Sequence, residues 1–276
     1  MFNLIKTDLY RLFHTKAFKV GIIASALIAF LGMLLNLGVL ALIQAVMDSD
    51  PTYSVSGMEV IIPYVAWLGG ADYSTIVLYS TGALSLLVGC VVSASFISAE
   101  QTCGYVKNVA GQLAHRGYTI VSKFIVTSLI HFVVLAIYTT ISCVFAPVLF
   151  GKYIVSYSIA PLIGALLVRF LLFVAVNAII VLLCTITKSP SLAMIIGAIF
   201  GLGVTQLGYM AISMVIGMVF KGSNFSFAEI MPDGINNMLT IFNVGELWAR
   251  GVILSIIYII AALACAIYII EKRDVK

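Results

Sequence analysis

The sequence predicts an all-α integral membrane protein of six transmembrane helices, and three observations predict it. Of its 276 residues, 62% are hydrophobic, and the mean hydropathy is +1.16. Only 9% are charged, where a soluble domain carries roughly 25%, and a soluble core of this size would leave much of that apolar surface in water. Six apolar runs, at about 20–46, 76–98, 121–147, 160–186, 191–219 and 251–270, can each cross about 30 Å of hydrocarbon at 1.5 Å per residue. All six read as helices, because a spanning helix satisfies its own backbone. They form one domain over residues 1–276.

The first segment, residues 2–16, is amphipathic. Phe2, Ile5, Leu9, Leu12 and Phe13 share one helical face, and Lys6, Arg11 and His14 lie largely on the other, with Lys16 at its end. Such a helix lies on a membrane surface with its basic residues at the headgroups. The first span follows it. That run is far longer than the 7–15 residues of a signal-peptide core and no small-residue cleavage site follows, so it reads as an uncleaved span.

The positive-inside rule sets orientation. Lys6, Arg11, Lys16, Lys19, Lys107, Arg116, Lys123, Lys188, Lys272, Arg273 and Lys276 fall on one side, against Lys152, Lys221 and Arg250 on the other. Both termini are therefore expected in the cytoplasm. Asp48, Asp50, Glu59, Asp72, Glu229, Asp233 and Glu246 all fall in the outer loops.

Between the second and third spans, residues 98–123 are too polar to cross. Their first half can continue the second span as a short helix offering Glu100, Gln101 and Lys107, and Gly104, Gly111 and Gly117 permit sharp turns. Residues 221–250 alternate turn signals with apolar groups. Pro232-Asp233-Gly234 reads as a turn, and Met238 to Phe242 with Trp248 as a stretch that dips back into the interface. An apolar stretch from Val60 to Leu68 is too short to cross.

Chemistry-bearing motifs are few. There is no GxxxxGK[ST] phosphate loop and no HExxH, and the three histidines, His14, His115 and His131, fall in separate segments. The five cysteines show neither a disulfide framework nor metal spacing. His131 is expected to bond between helices. Arg169 is the one charge near the middle of a span; burying it costs roughly 2.5–3.5 kcal/mol on insertion scales. Either it snorkels or pairs with a carbonyl, or it faces a substrate path and contacts an anionic group. Asn177 is expected on the same polar strip. Ser85-Gly89-Ser93 and Gly197-xxx-Gly201 are spaced for close helix packing, within the chain or along a homodimer seam.

Four features together resemble the membrane subunits of the type-2 ABC exporter superfamily, six-span permeases of peptides, lantibiotics and other amphiphiles. They are the amphipathic segment ending in Lys16 and Lys19; the loop with Glu100, Gly104-Tyr105-Val106-Lys107, Arg116 and Lys123; the long outer segment before the last span; and the ending Glu271 to Lys276. The resemblance runs over the whole chain, and the loop is its most specific part. It implies an elbow helix at 2–16 and a cytoplasmic coupling helix near 98–110. The latter would dock on a separately encoded ATPase through Glu100, Gln101, Gly104, Tyr105, Lys107 and Arg116. It also implies an outer re-entrant gate at 221–250 and a unit of two permeases, as a homodimer, with two ATPases. ATP and Mg would belong to the ATPase, and this chain would bind no cofactor. Tyr105 stands where the family frequently has a small hydroxyl residue. The path would run between the second and fifth spans, with Met210, Met214 and Met218 as adaptable surface for an amphiphilic cargo. The location implied is a bacterial inner membrane. The charge is too sparse for a nucleic-acid partner. A gradient-driven carrier and a non-transporting immunity or sensor protein are the other readings.

Overall fold

A computed structural model describes residues 2–49, 67–102, 115–187, 190–219, 226–239 and 244–272. Within these residues the chain is almost entirely helical. Helix α1 is Phe2–His14 and α2 is Lys16–Ser49. A short strand β1, Ala71–Asp72, leads into α3, Tyr73–Ser80, and α4, Ala83–Thr102. Helix α5 is Gly117–Phe150; a 3-10 turn and strand β2, Ile154–Ser156, separate it from α6, Ala160–Thr187. Then come α7, Pro190–Gly201, α8, Thr205–Val219, the short α9, Pro232–Met238, and α10, Val244–Lys272.

Among the described residues, five helical stretches are long and apolar enough to cross a membrane, and six if the bent pair α7 and α8 counts as one span. The predicted fifth span is thus not straight: its halves meet at 69°. Gly203, with φ of +72°, makes the break at a conformation that glycine adopts without strain. The predicted second span is also interrupted, at Thr81 and Gly82 between α3 and α4. Neither break was expected from hydropathy, because a single glycine barely changes the mean over a window.

Helix α6 lies centrally, packed on α4, α5, α9 and α10. The side chains of Leu172, Phe173, Ala175, Val176, Ile180 and Val181 are fully buried. Small residues bring neighbouring helices close. A Cβ on Gly201 would stand 2.1 Å from Leu87 Cα, and one on Gly89 2.7 Å from His131 Cδ2. The small-residue motifs therefore serve packing of α4 on α7 and α5 within the chain. His131 lies buried between α4 and α5, with Nδ1 3.1 Å from the Thr127 carbonyl oxygen and 3.4 Å from Ser93 Oγ.

Helix α1 docks on α5, but not along the expected line. Leu12 is buried and Ile5 and Leu9 half-buried, whereas Phe2 is 89% and Phe13 51% exposed. The docked face carries Asp8, 2% exposed, whose Oδ2 accepts a 2.6 Å bond from Ser122 Oγ on α5. Arg11 lies 3.9 Å from Asp8. A carboxylate within an otherwise basic surface helix was the signal available in the sequence.

At the far ends of α2, α5 and α6, Asp72 ties two connections together. Strands β1 and β2 pair in parallel, Ala71 beside Ile154 and Asp72 beside Ser156. The Asp72 carboxylate caps α3 by accepting from Ser74 N at 3.1 Å, and accepts from Ser156 Oγ at 2.5 Å and Ser158 Oγ at 2.7 Å. Partial burial pushes its pKa up, but the Ser156, Ser74 and Ser158 donors outweigh it and hold the carboxyl below its ordinary value. The ionised form is favoured by folding, so this contribution is complete above the ordinary carboxylate range and lost as pH falls through the depressed value. Asp72→Ala is expected to cost about 1 kcal/mol at neutral pH. Unfolding midpoints of both proteins should converge on acidification; a gap independent of pH would refute the assignment.

Candidate membrane site around Arg169

Arg169 sits in the third turn of α6 with 2% of its surface exposed. It does not snorkel. Nε donates to Asn236 Oδ1 at 3.0 Å, and Nη1 donates to Thr81 Oγ1 at 2.6 Å and to the Leu78 carbonyl. The guanidinium thus sits at the C-terminal end of α3, where a helix leaves carbonyls without N–H partners and carries partial negative charge. Thr81 Oγ1 also donates to the Leu78 oxygen, at 3.0 Å. A break inside an apolar helical stretch leaves backbone groups that must be satisfied from within the protein, and Arg169 does this for the break between α3 and α4. Of the sequence expectations, pairing with a carbonyl is observed.

The third partner explains α9. Pro232, Asp233, Gly234, Ile235 and Asn236 are all buried within the protein. Met238 is half-buried, and 240–243 lie outside the described residues. Nor is Pro232-Asp233-Gly234 a free turn: it is the first turn of α9, with proline at N1, where its missing N–H costs nothing. Asp233 accepts from Thr205 Oγ1 at 2.5 Å and from Tyr209 OH at 2.8 Å, both on α8 just beyond the second break. Ile235 and Leu239 pack with Val168 and Leu172 of α6. Helix α9 is therefore a polar bridge between two broken helices, held by Asp233 at one and Asn236 at the other.

Beside this bridge lies a cavity of about 430 Å³. Its polar lining includes Asn36, Thr75, Arg169, Asn236 and Asn237, and Leu35, Trp67, Leu84 and Leu239 give it apolar walls. Among the described residues, no group of three or more His, Cys, Asp and Glu could hold a metal ion.

The other expected site residues scatter. Asn177 does not share a strip with Arg169: eight residues on, it has turned by about 80° and risen about 12 Å. Its Nδ2 donates to Thr127 Oγ1 at 2.9 Å and Ser128 Oγ at 3.1 Å on α5. Met210 and Met214 are each 63% exposed on α8, and Met218 69%, so they line no internal path within this chain. Lys6 and Lys16 are exposed and Arg11 half-buried. Glu100 and Gln101 fall in the last turn of α4, which continues the span as expected to Thr102. Gly104, Tyr105 and Lys107 lie outside the described residues, and Arg116 directly precedes α5. Asn236, Thr81 and Thr75 were not anticipated; their partners or neighbours are dozens of residues away in the chain.

No protein-family model, curated protein or solved structure matches the chain. The long apolar helices among the described residues, five or six of them able to cross a bilayer, with a buried cation closing a break within one of them, suggest a multi-pass membrane protein.

Proposed function

We propose that the chain is the membrane subunit of an ATP-driven exporter of the type-2 ABC kind. It would move an amphiphilic cargo, such as a peptide, lantibiotic or other hydrophobic compound, out of a bacterial cell or its membrane. The observation that best supports this reading is α9, a short buried helix just before α10 that ties two broken helices together. A docked N-terminal helix and the extension of α4 to Thr102 accord with it.

In this reading two copies pair as a homodimer, with both termini in the cytoplasm of an inner-membrane complex. Glu100, Gln101, Gly104, Tyr105, Lys107 and Arg116 meet two separately encoded ATPase subunits, which hold ATP and Mg. Closure of the ATPases moves these segments as rigid bodies and biases α4, α7 and α8 between packings, with the energy supplied by ATP bound elsewhere. Glu100→Arg, which reverses the docking charge, is expected to abolish cargo-stimulated ATP hydrolysis in vesicles holding both subunits while the chain still folds. Unchanged coupled hydrolysis would defeat the docking assignment.

The two breaks also favour a second reading. Gradient-driven carriers build their sites at discontinuous helices near the bilayer midplane. Transport without an ATPase subunit, abolished by a protonophore, would select it.

A further inference from the structure

The hydrogen bonds of Arg169 leave one of its nitrogens over. Nε and Nη1 are used, but Nη2 donates to no described group. Gly82 has no side chain beside Nη2: a Cβ there would stand 4.0 Å from it. Arg169 also forms no ion pair with a described carboxylate, so a full positive charge, 2% exposed, faces the cavity without a counter-charge.

Two more residues on the same lining carry buried, unused groups. Asn236 Nδ2 and Thr75 Oγ1 have no hydrogen-bond partner among the described residues. Buried polar groups are ordinarily bonded, and an orphan costs its full desolvation. Three donors lacking acceptors on one cavity point to an acceptor that arrives from outside. The charge on one of them selects an anion over a neutral acceptor, and repels a cation. The rest of the lining, Leu35, Trp67, Leu84 and Leu239, suits an apolar tail, and about 430 Å³ lies within the roughly 300–1,000 Å³ of small-molecule sites.

We infer that this cavity binds the acidic head of an amphiphile, a carboxylate or phosphate on an apolar tail, through Arg169 Nη2, Asn236 Nδ2 and Thr75 Oγ1. Binding would neutralise the one unbalanced charge in the middle of α6 and complete α9 as part of the site. The acidic head belongs either to a free amphiphile or to an anionic lipid. The site requires no ATPase, so it stands or falls separately from the exporter reading.

The test uses the full-length chain in phosphatidylcholine nanodiscs, with radiolabelled dodecanoate as probe. Asn236→Asp is the decisive variant. It places a carboxylate where Arg169 Nε already donates, which keeps the α6 to α9 tie, while it neutralises the cation and removes the Nδ2 donor. Thr75→Val removes the hydroxyl at nearly constant volume. Dodecanoate is expected to bind the native chain saturably and at least about tenfold more weakly to N236D. N236D should match native thermal stability, and T75V should show a smaller loss of binding. Dodecyl maltoside and dodecyltrimethylammonium should not compete. If phosphatidylglycerol doped into the disc displaces the probe, the head is a lipid's; if it does not, the head is a free amphiphile's. Equal binding by N236D, competition by the neutral or cationic dodecyl compounds, or no saturable binding of dodecanoate would overturn the inference.

Discussion

Arg169→Met is expected to destabilise the folded chain in detergent by about 2–4 kcal/mol. Interhelical hydrogen bonds in membranes contribute roughly 1 kcal/mol, and those to charged groups somewhat more. Arg169 makes three, one to Asn236 on α9 and two to Thr81 and Leu78 at the end of α3. The cost of bringing a cation into hydrocarbon does not offset this loss, because the inserted but unpacked chain already carries it. Methionine fills much of the stem's volume, so the deficit should be polar rather than a cavity. Arg169→Lys keeps the charge but offers a single point donor in place of a planar fork, and should recover less than half. Thermal unfolding followed by size-exclusion fluorescence checks the series. Native stability in the methionine variant would mean that the break between α3 and α4 needs no staple.

The second large effect is steric. Gly201→Ala places a Cβ 2.1 Å from Leu87 Cα and 2.6 Å from Leu87 N. Backbone cannot swing aside as a side-chain tip can, so α4 and α7 must part. Overpacking of this kind costs about 1–3 kcal/mol and sometimes more, and here it also strips contacts along the α4 to α7 seam. Gly208 on α8 is the matched control, since nothing lies within 4 Å of its added Cβ. Gly208→Ala should leave stability unchanged or raise it by up to about 1 kcal/mol through helix propensity. Equal behaviour of the two alanines would contradict the close seam.

What the sequence made legible is what hydropathy and local periodicity carry. Helices α2 and α6, of 34 and 28 residues, are apolar over most of their length, and that signal is read directly from hydropathy. The amphipathic start was legible as a helix but its docked face was not, since Asp8 is held by Ser122, 114 positions away. The breaks escaped because they occupy only two or three positions each, Thr81 and Gly82 in one and the turn around Gly203 in the other, inside apolar runs. Arg169 stood out by its charge alone. Its partners, 67 to 91 positions distant, can be found only by folding the chain. The same holds for α9: Pro232 signals a helix start as readily as a turn, and burial by α6 and α8 decides which.

The central functional claim concerns a missing half, the subunit that would supply energy. The most direct measurement is to isolate the tagged chain from its native membranes in mild detergent and identify by mass spectrometry whatever accompanies it stoichiometrically. The exporter account predicts a soluble subunit bearing a GxxxxGK[ST] phosphate loop, present with the native chain and lost with Glu100→Arg. A chain that arrives alone, yet drives protonophore-sensitive solute movement when reconstituted, would contradict it.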